Sequence, residues 1–456
     1  MKRTAVINVV GLTSNLLSAD TPKINAFAES GFTTSFKPTF PAVTCAAQST
    51  YLTGESPAVH GAVANGWYDR DYNEVHFWKQ SNQLIQGPKL WEDLKATDPD
   101  FTCAKLFWWY NMYSSADYSI TPRPMYPADG RKIFDIYSYP MPLKEKIKAE
   151  LGEFPFPAFW GPKAGIDSSK WIAESSKWIE RKYHPTLNLI YLPHLDYNLQ
   201  KLGPEYPEIS ADLKKIDRVV GELIRFFEER EVQVVLLSEY GITPVDRPVH
   251  LNRVLRQKGW ISIKTELGLE QLDCGASQAF AVVDHQIAHI YVKDRNRIPE
   301  VRESLEHIEG VETVLDFSGK QEWGIDHDRG GDLIAIADER SWFTYYYWME
   351  DSLAPDFARC VDIHRKPGYD PVELFVDPNL KFPAAKIAWF LIKKKLGFRA
   401  LLDVIPLDAT LVKGSHGRLP ENTADWPVFI SQNGEFQPEM AKDIFQTLRN
   451  IISTAD

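Results

Sequence analysis

Apolar and polar positions alternate in two rhythms along this chain. Residues 4–10 (TAVINVV) form a continuous β-branched run, the pattern of a strand covered on both faces. Thr21-Pro22 then opens a helix that Gly31 closes, and residues 32–36 predict the next strand. The small-residue segment 44–54 reads as a helix ending at Gly54. Further strands are predicted over 101–108, 187–193 and 232–238, separated by helices over 168–182 and 209–230. Trp171 and Trp178 share one face of the first of these helices. This alternation implies an α/β fold, a mostly parallel central sheet with helices on both faces. Ligands in such sheets bind beyond the carboxyl ends of the strands, where Val10, Thr44, Asp196 and Glu239 fall.

The texture differs elsewhere. Residues 65–72 (NGWYDRDY) read as an aromatic turn, and 109–165 are rich in Pro and Tyr. That stretch reads either as a cap-like excursion walling a pocket or as a surface meander. Residues 280–283 and 287–292 predict a hairpin with Asp284-His285 near its turn. A helix follows over 299–307, then strands over 333–337 and 342–348, whose FTYYYW run reads as packed strand. Residues 362–369 form a polar loop, and 384–396 a basic amphipathic helix whose lysines form a solvated face.

Composition narrows the class. At 456 residues, 44% hydrophobic and 25% charged, the chain is long enough for one large core or a core with an inserted cap. A net charge of −11 argues against duplex nucleic acid or anionic membrane as a general partner. No stretch reaches the apolar length of a membrane span, and residues 1–12 lack the form of a signal peptide. The four scattered cysteines predict neither a zinc–thiolate site nor a disulfide framework, and fit a reducing, cytoplasmic setting. Cys45 reads as a reactive thiol or as a small buried residue.

Candidate chemistry gathers at Thr44. A hydroxyl at a helix N-terminus can attack an anion held there once its proton is removed; the same residue type also serves as a plain N-cap. His194 and Asp196 stand two apart, as do Asp362 and His364, so each pair would share a side of an extended segment. Arg365 and Lys366 read as a phosphate-binding pair or as a surface turn. His285 and His289 are four apart, but one falls in the turn and the other in a strand, which weakens them as joint ligands.

Phe40-Pro41, Thr44, Leu52-Thr53-Gly54, Pro57-x-x-His60-Gly61 and Asn65 occur in this order. The segment resembles the nucleophile region of the nucleotide pyrophosphatase/phosphodiesterase branch of the alkaline phosphatase superfamily. The resemblance implies one alkaline phosphatase-like catalytic domain over 1–456, with 109–165 as a cap-like insertion. It implies Thr44 as nucleophile, one or two divalent metals, zinc by type, and a phosphorylated small-molecule substrate. By position, Asp196, Glu239 and His416 would be metal ligands, with His194, Asp362 and His364 as substitutes. Asn65, with Arg365 and Lys366, would hold the phosphoryl group. The chain departs from the family pattern at Val10, where an Asp is expected, and at Gln200 and Tyr240, where His is expected. Two functions follow: a metal-dependent hydrolase of phosphodiester or pyrophosphate bonds acting through a phospho-enzyme, or a catalytically silent relative that binds a phosphorylated small molecule.

Overall fold

The computed structural model describes residues 1–398 and 400–454. Its centre is an eight-stranded sheet in the order Phe32–Ser35, Val428–Ser431, Gln233–Leu237, Thr4–Val9, Leu187–Leu192, Cys103–Leu106, Tyr118–Pro122, Ile136–Tyr139. The five strands from Gln233–Leu237 to Tyr118–Pro122 run parallel, and both Val428–Ser431 and Ile136–Tyr139 run antiparallel to their inner neighbours. Every residue of Thr4–Val9 and Leu187–Leu192 is buried, as uninterrupted apolar runs demand when both faces are covered. The covering helices include Pro22–Glu29, Ile166–Tyr183, Ser210–Glu228 and Asp443–Ser453. Ser210–Glu228 turns Leu213, Ile216, Val220, Leu223 and Phe227 inward at helical spacing.

A second apolar core lies around a four-stranded antiparallel sheet, Ala279–Asp284, Ile287–Val292, Leu333–Ala337 and Val311–Leu315. Its members include Tyr345, Tyr346, Tyr347 and Trp348, so the aromatic run packs as core, although only Ser341–Phe343 is strand.

Two expectations change. Residues 65–72 are half of a hairpin, Gly66–Asp69 paired with Glu74–Phe77. Within 109–165, Tyr118–Pro122 and Ile136–Tyr139 widen the central sheet by two strands. Frequent Pro and Tyr masked their alternation, because edge strands tolerate proline where central ones do not. What overhangs the Thr44 end of the sheet instead is the turn of the second sheet, at Asp284-His285.

Candidate active site

Thr44 is the first residue of the Thr44–Thr53 helix, and Val43 is its N-cap. Its side chain makes no capping bond and turns to the Tyr240 hydroxyl, 3.1 Å away. Tyr240 donates to Asp196 Oδ1 at 3.1 Å, so its oxygen accepts from Thr44. Gln200 Nε2 donates to Asp196 Oδ2 at 2.8 Å, and the Tyr369 hydroxyl adjoins Gln200 at 3.1 Å from Nε2. Residues 193–202 explain this pairing. A helix, His194–Leu202, begins directly after the strand, so positions four apart meet on one face.

The same helix separates His194 from Asp196. Two residues apart is the same side of a strand but nearly opposite sides of a helix. His194 Nε2 lies 3.2 Å from Asp212 on the Ser210–Glu228 helix and does not join Asp196.

Glu239 is fully buried, and its Oε1 accepts from Asn8 Nδ2 and Gln48 Nε2, both at 2.6 Å. Burial raises the Glu239 carboxyl to about 8 and that of Asp196 to about 7, against the hydrogen bonds that favour their ionised forms. The Tyr240 phenol is pushed well above its ordinary value by burial and by the two acids. It therefore stays protonated.

His416 Nδ1 donates to the Ala42 carbonyl at 2.7 Å, and its Nε2 lies 3.8 Å from Asp196 Oδ1. Its ring stacks on Tyr240 at 3.7 Å, and on its other side meets His285 at 3.7 Å, which in turn stacks on Tyr369 at 3.6 Å. His285 sits in the hairpin turn and donates through Nδ1 to Asp284 Oδ1 at 2.7 Å. Burial holds both imidazoles well below their usual range, so both are neutral. The turn docks on this loop through the backbone: Gln286 N donates to the His416 carbonyl at 2.9 Å. Gly417, at φ 117°, lies so close to Gln286 N that a Cβ would stand 3.1 Å from it.

Asn65 is placed inward. Its Oδ1 accepts from the Cys45 N–H at 3.0 Å, its Nδ2 donates to Asp284 Oδ1 at 3.1 Å, and its backbone N–H donates to Asp284 Oδ2 at 2.7 Å. It ties the first turn of the Thr44 helix to the overhanging hairpin. His60 ties the other end: Nδ1 accepts from Ala62 N and Nε2 meets the Thr50 hydroxyl at 3.0 Å.

The 362–369 loop divides. Lys366 is buried between Asp370 at 2.6 Å and Glu373 at 2.7 Å, so its charge is spent internally. Arg365 is exposed over the Phe357 ring, and His364 faces the Phe77 carbonyl at 3.4 Å. Asp362 is half-buried, with its backbone N–H given to Glu373. The loop reaches the site through Tyr369 alone among these residues. Asn8, Gln48, Asp284 and Tyr369 are the site residues that sequence reading passed over. Asn8, the one polar side chain inside an apolar strand, was the available signal.

The donor set does not fit a two-metal centre. The Tyr240 hydroxyl stands between Thr44 and Asp196, both Asp196 oxygens accept from protein donors, and Glu239 Oε1 is held by two amides. Among the described residues no group of three His, Cys, Asp or Glu side chains is placed to hold a metal ion. Asp196, Glu239 and His416 thus do not converge as ligands, and Asp362 and His364 do not replace them. Buried atoms left without a partner are Glu239 Oε2, His285 Nε2 and His416 Nε2.

Residues 4–370 match the family of type I phosphodiesterases and nucleotide pyrophosphatases. The chain belongs to that family. It is 25% identical over 258 residues to an uncharacterized pyrophosphatase/phosphodiesterase of Schizosaccharomyces pombe, covering 53% of this chain and 46% of that protein. To the mouse ectonucleotide pyrophosphatase/phosphodiesterase family member 1 it is 22% identical over 238 residues, 49% of this chain and 22% of that one. The chain therefore matches less than half the length of these relatives. Among solved structures, phosphonoacetate hydrolase from Sinorhizobium meliloti 1021 superposes with a TM-score of 0.63 at 15% identity, covering 99% of this chain and 96% of the other. An inactive form of murine ectonucleotide pyrophosphatase/phosphodiesterase 5 in complex with AMP gives 0.58 at 14% identity, over 100% and 96%. These likenesses establish the alkaline phosphatase-like α/β fold.

Proposed function

We propose that the protein hydrolyses phosphodiester or pyrophosphate bonds of a phosphorylated small molecule, with Thr44 as the nucleophile. The observation that carries this reading is the chain of contacts Thr44–Tyr240–Asp196 at 3.1 Å each. Thr44 Oγ would attack phosphorus, forming the Oγ–P bond as the bond to the leaving oxygen breaks. Its proton passes to the Tyr240 oxygen while the Tyr240 proton passes to Asp196 Oδ1. A phenol is a poor base alone, but an acid poised at about 7 behind it accepts the proton near neutrality. A phosphate leaving group needs no acid. Water then cleaves the phosphothreonine, and the proton returns along the same path.

The zinc expected from the family has no fitting donor set here, so no step is drawn through it. The test uses purified protein with bis(p-nitrophenyl) phosphate and with ATP, before and after a chelator. Turnover lost in Thr44→Ala and kept in chelator supports the whole reading. Turnover lost in chelator and restored by zinc keeps the Thr44 nucleophile but removes the Tyr240 relay.

A second reading has an observation of its own. Thr44 is 3% exposed, and the rings of Tyr240, His416, His285 and Tyr369 fill the space beside it. A catalytically silent protein that binds a phosphorylated ligand would show affinity surviving chelator and no turnover. The free thiols of Cys45, Cys103, Cys274 and Cys360 support a reducing, cytoplasmic location as part of the same proposal.

A further inference from the structure

Far from Thr44 in sequence, the Pro383–Lys395 helix has no buried residue. Phe382, Ala385, Trp389, Ile392 and Leu396 recur at intervals of three and four, so they line one stripe of this helix. The stripe faces solvent: Phe382 is 76% exposed, Trp389 57%, Ile392 49% and Leu396 67%, with Phe398 beyond it at 65%. The opposite side holds the helix to the body, where Ile387 packs on the second core and Lys386 pairs with Asp403 at 2.8 Å.

Charge borders this stripe. Lys386 and Lys393, seven residues apart, follow one edge, and Lys395 lies on the other. From Pro378 to Leu402 there are five lysines and one arginine and no acidic residue, in a chain whose net charge is −11. Among the described residues only Lys386 of the five lysines forms an ion pair. A second segment extends the patch. Lys394 Nζ lies 3.4 Å from the Lys132 carbonyl and 5.8 Å from the Phe134 ring. That loop exposes Met125, Tyr126 and Phe134 beside Arg131 and Lys132.

We infer that this face docks on a membrane surface carrying anionic headgroups. An exposed stripe of Trp, Phe and Leu bordered by lysine is what lies in the headgroup–acyl boundary, the apolar side chains inserted and the lysine heads reaching back to phosphate. Thirteen residues make a helix of about 20 Å, too short to cross a bilayer core of about 30 Å, so the helix lies in the surface. A symmetric contact with a second copy would set the same lysines against each other, which like-charge repulsion opposes. The net negative charge of the chain orients the molecule, since only this face is attracted to an anionic sheet. The inference stands independently of the chemistry at Thr44.

The test is flotation of the full-length protein with phosphatidylcholine vesicles, alone and with about 30% phosphatidylglycerol, at low and high salt. The protein is expected to float with the anionic vesicles, much less with the neutral ones, and less in salt. Trp389→Ser/Leu396→Ser and Lys393→Gln/Lys394→Gln/Lys395→Gln are each expected to weaken binding about tenfold or more. Both variants should melt with the wild type, because the altered side chains touch little of the body. Wild-type protein that fails to float, or floats equally well in both variants, overturns the inference. So does a concentration-dependent dimer, seen by sedimentation, that Trp389→Ser/Leu396→Ser abolishes while vesicle binding is unchanged.

Discussion

Two helices of similar length occupy opposite extremes of this protein. In Thr44–Thr53 all ten residues are buried, yet most are small or polar. In Pro383–Lys395 none is buried, yet the helix carries Ile387, Trp389, Phe390, Leu391 and Ile392. Hydrophobicity alone would place them the other way round. The first is buried because its polar groups are all but one partnered: Gln48 bridges Glu239 and Trp109, Thr50 meets Thr39 and His60, and Thr53 bonds the Ser49 carbonyl. Its small residues let strands and helices approach from every side. The second has apolar residues with no apolar neighbour to cover them. A buried polar helix thus marks where the molecule performs chemistry, and an exposed apolar one marks where it meets something else.

The comparison can be broken at several points. The largest effect is expected inside the buried helix's network. Tyr240→Phe keeps the ring stacked on His416 and removes the hydroxyl between Thr44 and Asp196. Turnover should fall about 10²-fold or more with little change in KM, read by steady-state kinetics. An unchanged kcat would show that Thr44 loses its proton by another route. Next, Ala47→Leu forces three extra carbons into a fully buried site and should cost about 1–3 kcal/mol by denaturant unfolding.

A smaller effect concerns pH. The Glu239 and Asp196 carboxyls titrate higher in the folded chain than in the unfolded one, so the folded state binds more protons between about pH 4 and 8. Stability should therefore fall as pH rises through that window. Glu239→Gln, which cannot ionise, should flatten the fall by about 1–2 kcal/mol at pH 9, followed by thermal melts. The smallest effect belongs to the exposed helix. Trp389→Ser should shift stability by less than about 0.5 kcal/mol, in contrast with any comparable truncation in the sheet core.

Much of this was legible before any coordinates. Residues 4–10, 187–193 and 232–238 declared the central strands, because fully covered strands are apolar without interruption. The order Phe40-Pro41, Thr44, Pro57, His60, Asn65 located the site and its family. The local arrangement was not legible. Whether 193–202 continues as strand or turns to helix decides whether Asp196 meets His194 or Gln200, and either reading satisfies the local pattern. Nor could spacing reveal that Asn65 faces the hairpin, or that Lys366 is consumed by Asp370 and Glu373, since both depend on elements more than two hundred residues away or on a fold of the loop itself. The exposed stripe of 382–396 was visible as periodicity, but which side faced the body was not.

The strand Val428–Ser431 lies between Gln233–Leu237 and Phe32–Ser35, and neither of those touches the other in the sheet. The strand that leads to Thr44 is therefore attached to the rest of the sheet by residues made some four hundred positions later. During vectorial synthesis the nucleophile segment cannot reach its final place until residue 431 has left the ribosome. The site is completed last, so no nascent fragment carries it in working order.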